Sequence, residues 1–263
     1  MPKIYIVFHG DSDGVCAAAQ ALIAFKRRRP ELRVSKPNRL NFDLMGIPDD
    51  ALVVIVDIAL NKQNYRDVFR EFERFTRGGG EVYYIDHHRL PEIVKPTEIP
   101  ATKVYHKEGV SASELANKFF NLSGNMRALM LAYYGAYADY LEKSDFMSKV
   151  ECMIDRRNLV FEAALLSTAL EVASIDEKIM AARDLAKGLR PSEIPYLIHL
   201  AMLGLYWENT IYRYVERRAV KIGNIAIVRD VPLRGFLGRA ANYAMYLHDA
   251  DIGVAARPDR NGN

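Results

Sequence analysis

The stretch FHGDSDG, residues 8–14, follows the apolar run KIYIV (3–7) and precedes VCAAAQALIAF (15–25). The first run is rich in β-branched and aromatic residues and reads as a buried strand. The second reads as a helix over 14–28, stopped by Pro30. The acid-rich patch therefore marks a strand's carboxyl end, where the chain turns into a helix. Two readings compete. Asp or Ser before a helix is a common N-cap, so Ser12 or Asp13 alone needs no further explanation. A cap accounts for one residue and leaves His9 and one Asp over. Side chains at i, i+2 and i+4 of an extended segment point one way, so His9, Asp11 and Asp13 can converge past the strand end as a ligand set. A calcium loop does not fit. Counted from Asp11, the glycine and glutamate positions hold Cys16 and Leu22.

Outward from this stretch, strands are expected at 32–37, 51–58, 81–87 and 102–106. A helix is expected at 64–77, where Val68, Phe69, Phe72 and Phe75 share a face and Gly78, Gly79 and Gly80 end it. Continuous apolar strands separated by helices imply an α/β fold with a five-stranded parallel sheet covered on both faces. From residue 111 the pattern turns helical. SASELANKFFNLS (111–123) opens with Ser111 and Glu114 at capping-box spacing, and helices follow at 125–142, 151–172, 175–188 and 192–218. A short second α/β unit is expected from a strand-like 219–230, a helical 233–249 and a strand-like 250–258. The expected organisation is a catalytic domain over 1–190, a helical linker over 191–218 and a partial second domain over 219–263. That last piece is too short to hold a core alone.

Two further strands end in the same chemistry as the first. VVIVDI (53–58) places Asp57 at the end of the most hydrophobic strand, and YYIDHH (83–88) places Asp86, His87 and His88 at the end of the next. A lone Asp after a strand is usually a turn residue, and a His-His pair is usually incidental. Three strands with such ends, adjacent in a parallel sheet, are harder to dismiss, because clustered carboxylates need a cation to offset their repulsion. Asp139, in YYGAYADYL (133–141), adds a carboxylate to an otherwise apolar and aromatic helix.

The 263 residues carry a net charge of +3 and two cysteines, Cys16 and Cys152, with no CxxC spacing. A disulfide framework or zinc knuckle is not expected, and both read as small buried thiols. No signal peptide and no transmembrane run are read in the sequence, so a cytoplasmic protein without membrane contact is expected. Scarce glutamine among many Lys, Arg and Glu leans toward a thermophilic source. Tyr133, Tyr137 and Tyr140 share a helix face and read first as core. Tyr206, Trp207, Tyr212 and Tyr214 read as core or as a subunit contact, which would make a homodimer.

These motifs, in this order, resemble the DHH phosphoesterase superfamily, which includes RecJ-type single-strand exonucleases, nano-RNA and cyclic-dinucleotide phosphodiesterases and family II inorganic pyrophosphatases. HGDSDG, Asp57, the DHH triplet at 86–88 and Asp139 carry the resemblance, over roughly the first 140 residues. It implies two manganese ions per site, or magnesium. One would be held by His9, Asp11 and Asp57, the other by Asp13, Asp57, His87 and Asp139. It implies that His88 stabilises charge on the scissile phosphate and that Asp86 orients a histidine. The implied substrate is single-stranded nucleic acid or a short oligonucleotide. Pyrophosphate hydrolysis and a non-catalytic scaffold are the alternatives. Arg234 and Arg239 are candidate phosphate contacts. No GGGH-type substrate motif follows residue 219, and the chain ends at RPDRNGN with that domain half built. A shortened chain or a reduced family member is therefore expected.

Overall fold

A computed structural model describes residues 2–257. Five strands, β1 (Ile4–His9), β2 (Glu31–Ser35), β3 (Leu52–Val56), β4 (Glu81–Asp86) and β5 (Lys103–His106), form one sheet in the order β2-β1-β3-β4-β5. Every pair is parallel. β1 and β3 are apolar and buried along nearly their whole length because helices cover both faces. On one face Tyr5, Val7, Val53, Ile55, Val82 and Tyr84 join Leu40 and Leu44 of α2 (Leu40–Leu44) with Val68, Phe72 and Phe75 of α3 (Tyr65–Arg77). On the other lie α1 (Ser12–Ala24) and α4 (Ala112–Phe119). α5 (Met126–Ala138) packs on both of these, and α8 (Ile175–Lys187) packs on α1. α6 (Asp145–Met153) and α7 (Arg156–Val172) pack on α5.

The strand order reverses between β1 and β3, since β2 lies to one side of β1 and β3 to the other. In open α/β sheets the crevice at such a reversal, beyond the carboxyl ends, is the place for a ligand. Register levels those ends. Phe8 pairs with Val56 and Val56 with Ile85, so His9, Asp57 and Asp86 emerge side by side.

Several local expectations change. α1 begins at Ser12, and its N-cap is Asp11, whose Oδ1 accepts from the Gly14 amide at 3.0 Å. The strand stops at His9, and Asp13 lies in the helix's first turn instead of on an extension of the strand. α2 is unexpected because five residues are too few to show a period. The helix read as 151–172 is two helices, broken at Ile154 and restarted by Asp155, whose side chain accepts from the Arg157 amide. Ser111 caps α4, but the Glu114 carboxylate turns to Lys118 and Ser144 and closes no box. Cys16 is buried, whereas Cys152 is exposed.

The backbone divides into two compact units, the first ending at Ile198 and the second starting at His199, within α9 (Pro195–Arg218). In the second unit the stretch read as one strand is a hairpin, β6 (Val220–Ile222) and β7 (Ile225–Val228), turning at Gly223 with φ +57°. α10 (Leu237–Leu247) then leads to β8 (Ile252–Ala255), parallel to β7. Residues 258–263, which include most of RPDRNGN, lie outside the described residues. Among the described residues no helix is long and apolar enough to cross a membrane.

Candidate metal centre

Asp57 lies at the middle of the site. It follows β3 with φ +58°, a left-handed conformation that Asp tolerates better than most residues. Its amide still donates to Ile85 O at 3.0 Å, so it keeps its place in the sheet while the chain turns. Its carboxylate is 1% exposed, and neither oxygen has a hydrogen-bond partner. The two oxygens face different neighbours. Oδ2 is 3.8 Å from His9 Nδ1, which is itself 2.6 Å from Asp11 Oδ2. Oδ1 is 3.3 Å from His87 Nε2. That nitrogen is also buried without a hydrogen bond and lies 3.4 Å from Asp139 Oδ2 and 3.7 Å from Asp13 Oδ2.

Each remaining group is aimed by its element. Asp13 is fully buried and receives the Ala112 amide on Oδ2 (2.6 Å) and the Ser113 amide on Oδ1 (2.8 Å), so α1 supplies an acid to the N-terminus of α4. An ionised carboxylate has about four acceptor sites, so two amides leave capacity for a cation. Asp139 is the C-cap of α5 rather than a residue inside it. Two glycines make the convergence fit. A Cβ on Gly14 would collide with the His9 carbonyl and lie 3.0 Å from Asp57 Oδ2, so this glycine lets α1 close on the end of β1. A Cβ on Gly135 would collide with Ser113 Oγ and Asp13 Oδ1.

Asp86 is treated differently. It is fully buried, with Oδ1 3.0 Å from His88 Nδ1 and Oδ2 accepting from the His88 amide at 3.3 Å. The Tyr84 hydroxyl lies 3.0 Å from that Oδ2 and 2.9 Å from Ile58 O. Asp86 therefore orients His88, not His87. His106, which ends β5, sits with Nε2 2.7 Å from His88 O and braces the turn from the other side.

Electrostatics follow from the crowding. Burial pushes the Asp57 carboxyl well above the usual range, and Asp11, Asp13 and Asp86 push it further. Burial, then Asp13 and Asp11, raise Asp139 to about 7. Asp13 is raised by burial against the pull of His87 and the Ser113 hydrogen bond. Burial also acts on Asp11, but the bond to His9 and the charge of its ring outweigh it and hold this carboxyl low. His88 is raised, first by its bond to Asp86. A cation among these acids reverses the penalty for ionising them.

Three donor groups stand close enough for a cation: His9, Asp11 and Asp57; Asp13, His87 and Asp139; and Asp57, His87 and His88. The orphaned Asp57 oxygens and His87 Nε2 are the atoms such an ion would satisfy, and the donor chemistry fits a hard to borderline divalent ion. All six residues expected as ligands from the sequence come together here, and Asp86 and His88 stand beside them. Arg239, by contrast, lies 2.9 Å from Glu208 in an ion pair. Arg234 opens a 3-10 turn, and its side chain lies outside what the structure describes. Tyr133 is core, Tyr140 is 88% exposed, Tyr206 is exposed and the Tyr214 hydroxyl donates to Arg229 O. Gly135 and His106 escaped the sequence reading, since a clearance in a helix and a brace from an edge strand leave no local pattern.

No curated protein matches the chain in sequence. Similar solved structures include the exonuclease RecJ bound to manganese, with a TM-score of 0.62 and 16% identity over 97% of this chain and 76% of that one. RecJ in complex with Mn2+ from Thermus thermophilus aligns with a TM-score of 0.61 and 18% identity, over 93% of this chain and 42% of that one. A pGpG-specific phosphodiesterase from Vibrio cholerae aligns with a TM-score of 0.52 and 11% identity, over 86% of this chain and 68% of that one. At these identities the likeness is one of fold. The pattern of the DHH family N-terminal domain matches residues 3–144. Matched over more than half its length, the chain belongs to the DHH family of metal-dependent phosphoesterases.

Proposed function

We propose that the chain is a manganese-dependent two-metal phosphodiesterase acting on single-stranded or short nucleic acid. One observation carries the reading: Asp57 is buried, both its oxygens lack hydrogen bonds, and each faces a separate set of donors. His9, Asp11 and Asp57 would hold one cation. Asp13, His87 and Asp139 would hold the other, with Asp57 shared. Carboxylate and imidazole without thiolate favour manganese, with magnesium as the alternative. Bound there, such a pair supplies a water of lowered pKa and offsets charge on phosphate oxygens.

The chain's own groups supply the remainder. Asp86 accepts from His88 Nδ1 and favours its imidazolium form. His88 Nε2–H then becomes a donor for a non-bridging phosphate oxygen, fixed before substrate arrives. Tyr84 and His106 hold that pair in place. Solved neighbours described as an exonuclease and a nucleotide phosphodiesterase support diesters over anhydrides as substrates.

The test is digestion of end-labelled DNA and RNA of several lengths, with pyrophosphate in parallel, in manganese and in magnesium. Shortening of the oligonucleotides is expected. Phosphate released from pyrophosphate with oligonucleotides intact would overturn the choice of substrate. No hydrolysis of either, with a biological role that survives Asp57→Ala combined with Asp139→Ala, would make the chain a scaffold.

A further inference from the structure

Beside His9 and Asp11 the centre opens into a cleft of about 890 Å3, built entirely from the first unit. Its size suits a nucleotide-sized ligand. Three groups in it have no part in holding a cation. Lys178, in α8, lays its chain over Gly10, so close that a Cβ there would lie 3.1 Å from Cδ and 3.3 Å from Nζ. Glycine at this position lets the ammonium reach the end of β1, next to the metal centre. Lys178 is half-buried, and its charged neighbours are Asp11, Lys36 and Glu171. Lys36, just past β2, brings a second ammonium into the same cleft. Arg39 also lines it, but is paired with Asp43 at 3.3 Å. Ser12, at the start of α1, lines the cleft too. It is 2% exposed and its hydroxyl has no hydrogen-bond partner.

Asp11 and Glu171 already face Lys178, so the cleft is not uniformly positive, but two ammoniums and an unsatisfied hydroxyl on its wall together offer an anion several donors. A phosphate accepts from ammonium and hydroxyl together, and charge-assisted bonds of this kind are strong. In the proposed function the scissile phosphate takes its place at the donors around Asp57. We propose that Lys178, Lys36 and Ser12 form a subsite for a second phosphate of the substrate, so that the protein prefers dinucleotides and oligonucleotides over esters carrying a single phosphate. This deepens the phosphodiesterase reading and rests on it. Selection for a second phosphate would then reside in the first unit, independently of the arginines of the second.

The experiment compares a 5′-phosphorylated dinucleotide with bis(p-nitrophenyl) phosphate, both with manganese and the full chain. The readout is the ratio of the two kcat/KM values. Lys178→Met is expected to lower that ratio about tenfold, the size of one lost charge-assisted bond, mostly through KM for the dinucleotide. Lys178→Arg should recover most of it, and Ser12→Ala should give a smaller fall. An unchanged ratio in Lys178→Met would overturn the subsite. If that variant does not fold, Lys36→Met, at an exposed position, carries the same test. Wild-type protein that cleaves neither compound would sink the phosphodiesterase reading instead. The subsite is then judged by dinucleotide binding alone: weaker binding by Lys178→Met supports it, and equal binding refutes it.

Discussion

The ends of β3 and β4 lie side by side, and each delivers a buried aspartate. Asp86 is engaged on both oxygens, by the His88 ring, the His88 amide and the Tyr84 hydroxyl. Asp57, level with it in the sheet, has no hydrogen bond on either oxygen. A buried carboxylate left unpaired is strongly disfavoured, so the two positions were shaped for different tasks. An acid engaged on both oxygens is a support that fixes a neighbour. An orphaned acid amid other acids favours a nearby positive charge, the role proposed for Asp57. The difference lies in what the adjoining elements offer, since both residues are aspartates at strand ends.

The sharpest way to break this contrast is Asp57→Asn. If Asp57 is the shared ligand proposed above, its loss should remove several kcal/mol of charge stabilisation and lower the rate on the order of a thousandfold. Manganese uptake, followed by calorimetric titration, should fall with it. Full manganese affinity in this variant would show that Asp57 is no ligand. Asp86→Asn should behave differently, slowing hydrolysis about 10–100-fold while manganese affinity stays near wild type. Equal losses of affinity in the two variants would erase the distinction between support and ligand.

Gly135→Ala acts on Asp13 and on the Ser113 side chain beside it. The added methyl must displace Asp13 or Ser113, and overpacking of this kind costs about 1–3 kcal/mol. Manganese affinity should drop about tenfold, with His88 untouched. Wild-type affinity in a variant whose crystal structure shows Asp13 displaced would mean that Asp13 does not bind the ion.

The smallest effect is on stability against pH. The folded-state pKa of Asp139 is raised from 3.8 to about 7. Between those values the folded metal-free protein binds more protons at this site than the unfolded chain. Its contribution to stability is therefore present below about pH 4 and lost as pH rises to 7. Asp57 is displaced in the same direction. The thermal midpoint of metal-free protein should decline across this window by a few degrees, and manganese should raise it more at pH 8 than at pH 5. A metal response independent of pH would argue against acids as the ligands.

Much of the site was legible because its residues end strands. Asp57 and the triplet at 86–88 close strongly apolar runs, and a parallel sheet brings such ends together wherever its strands pair in register. His9, Asp11 and Asp13 were legible as a group, though for an imperfect reason. They do not alternate along one extended segment. His9 ends β1, Asp11 caps α1 and Asp13 reaches from its first turn to α4. Asp139 was readable as a charge out of place in an apolar helix, but its position as a C-cap was not. The five residues of α2 span little more than one helical turn and show no repeat, and the β6–β7 hairpin is marked only by Gly223-Asn224 between two short apolar runs.

The order of strands and helices, the parallel sheet and the identity of the acids and histidines at its edge follow from the sequence itself. Apolar periodicity determines which segments are buried, and a strand's end determines where its polar residues emerge. Which acid is left unsatisfied was decided only by tertiary structure. So were the histidine that Asp86 holds, the clearance at Gly135 and the passage of Lys178 over Gly10. These depend on contacts between residues as distant in the chain as Gly10 and Lys178, and no local pattern encodes a distance that exists only after the helices have packed.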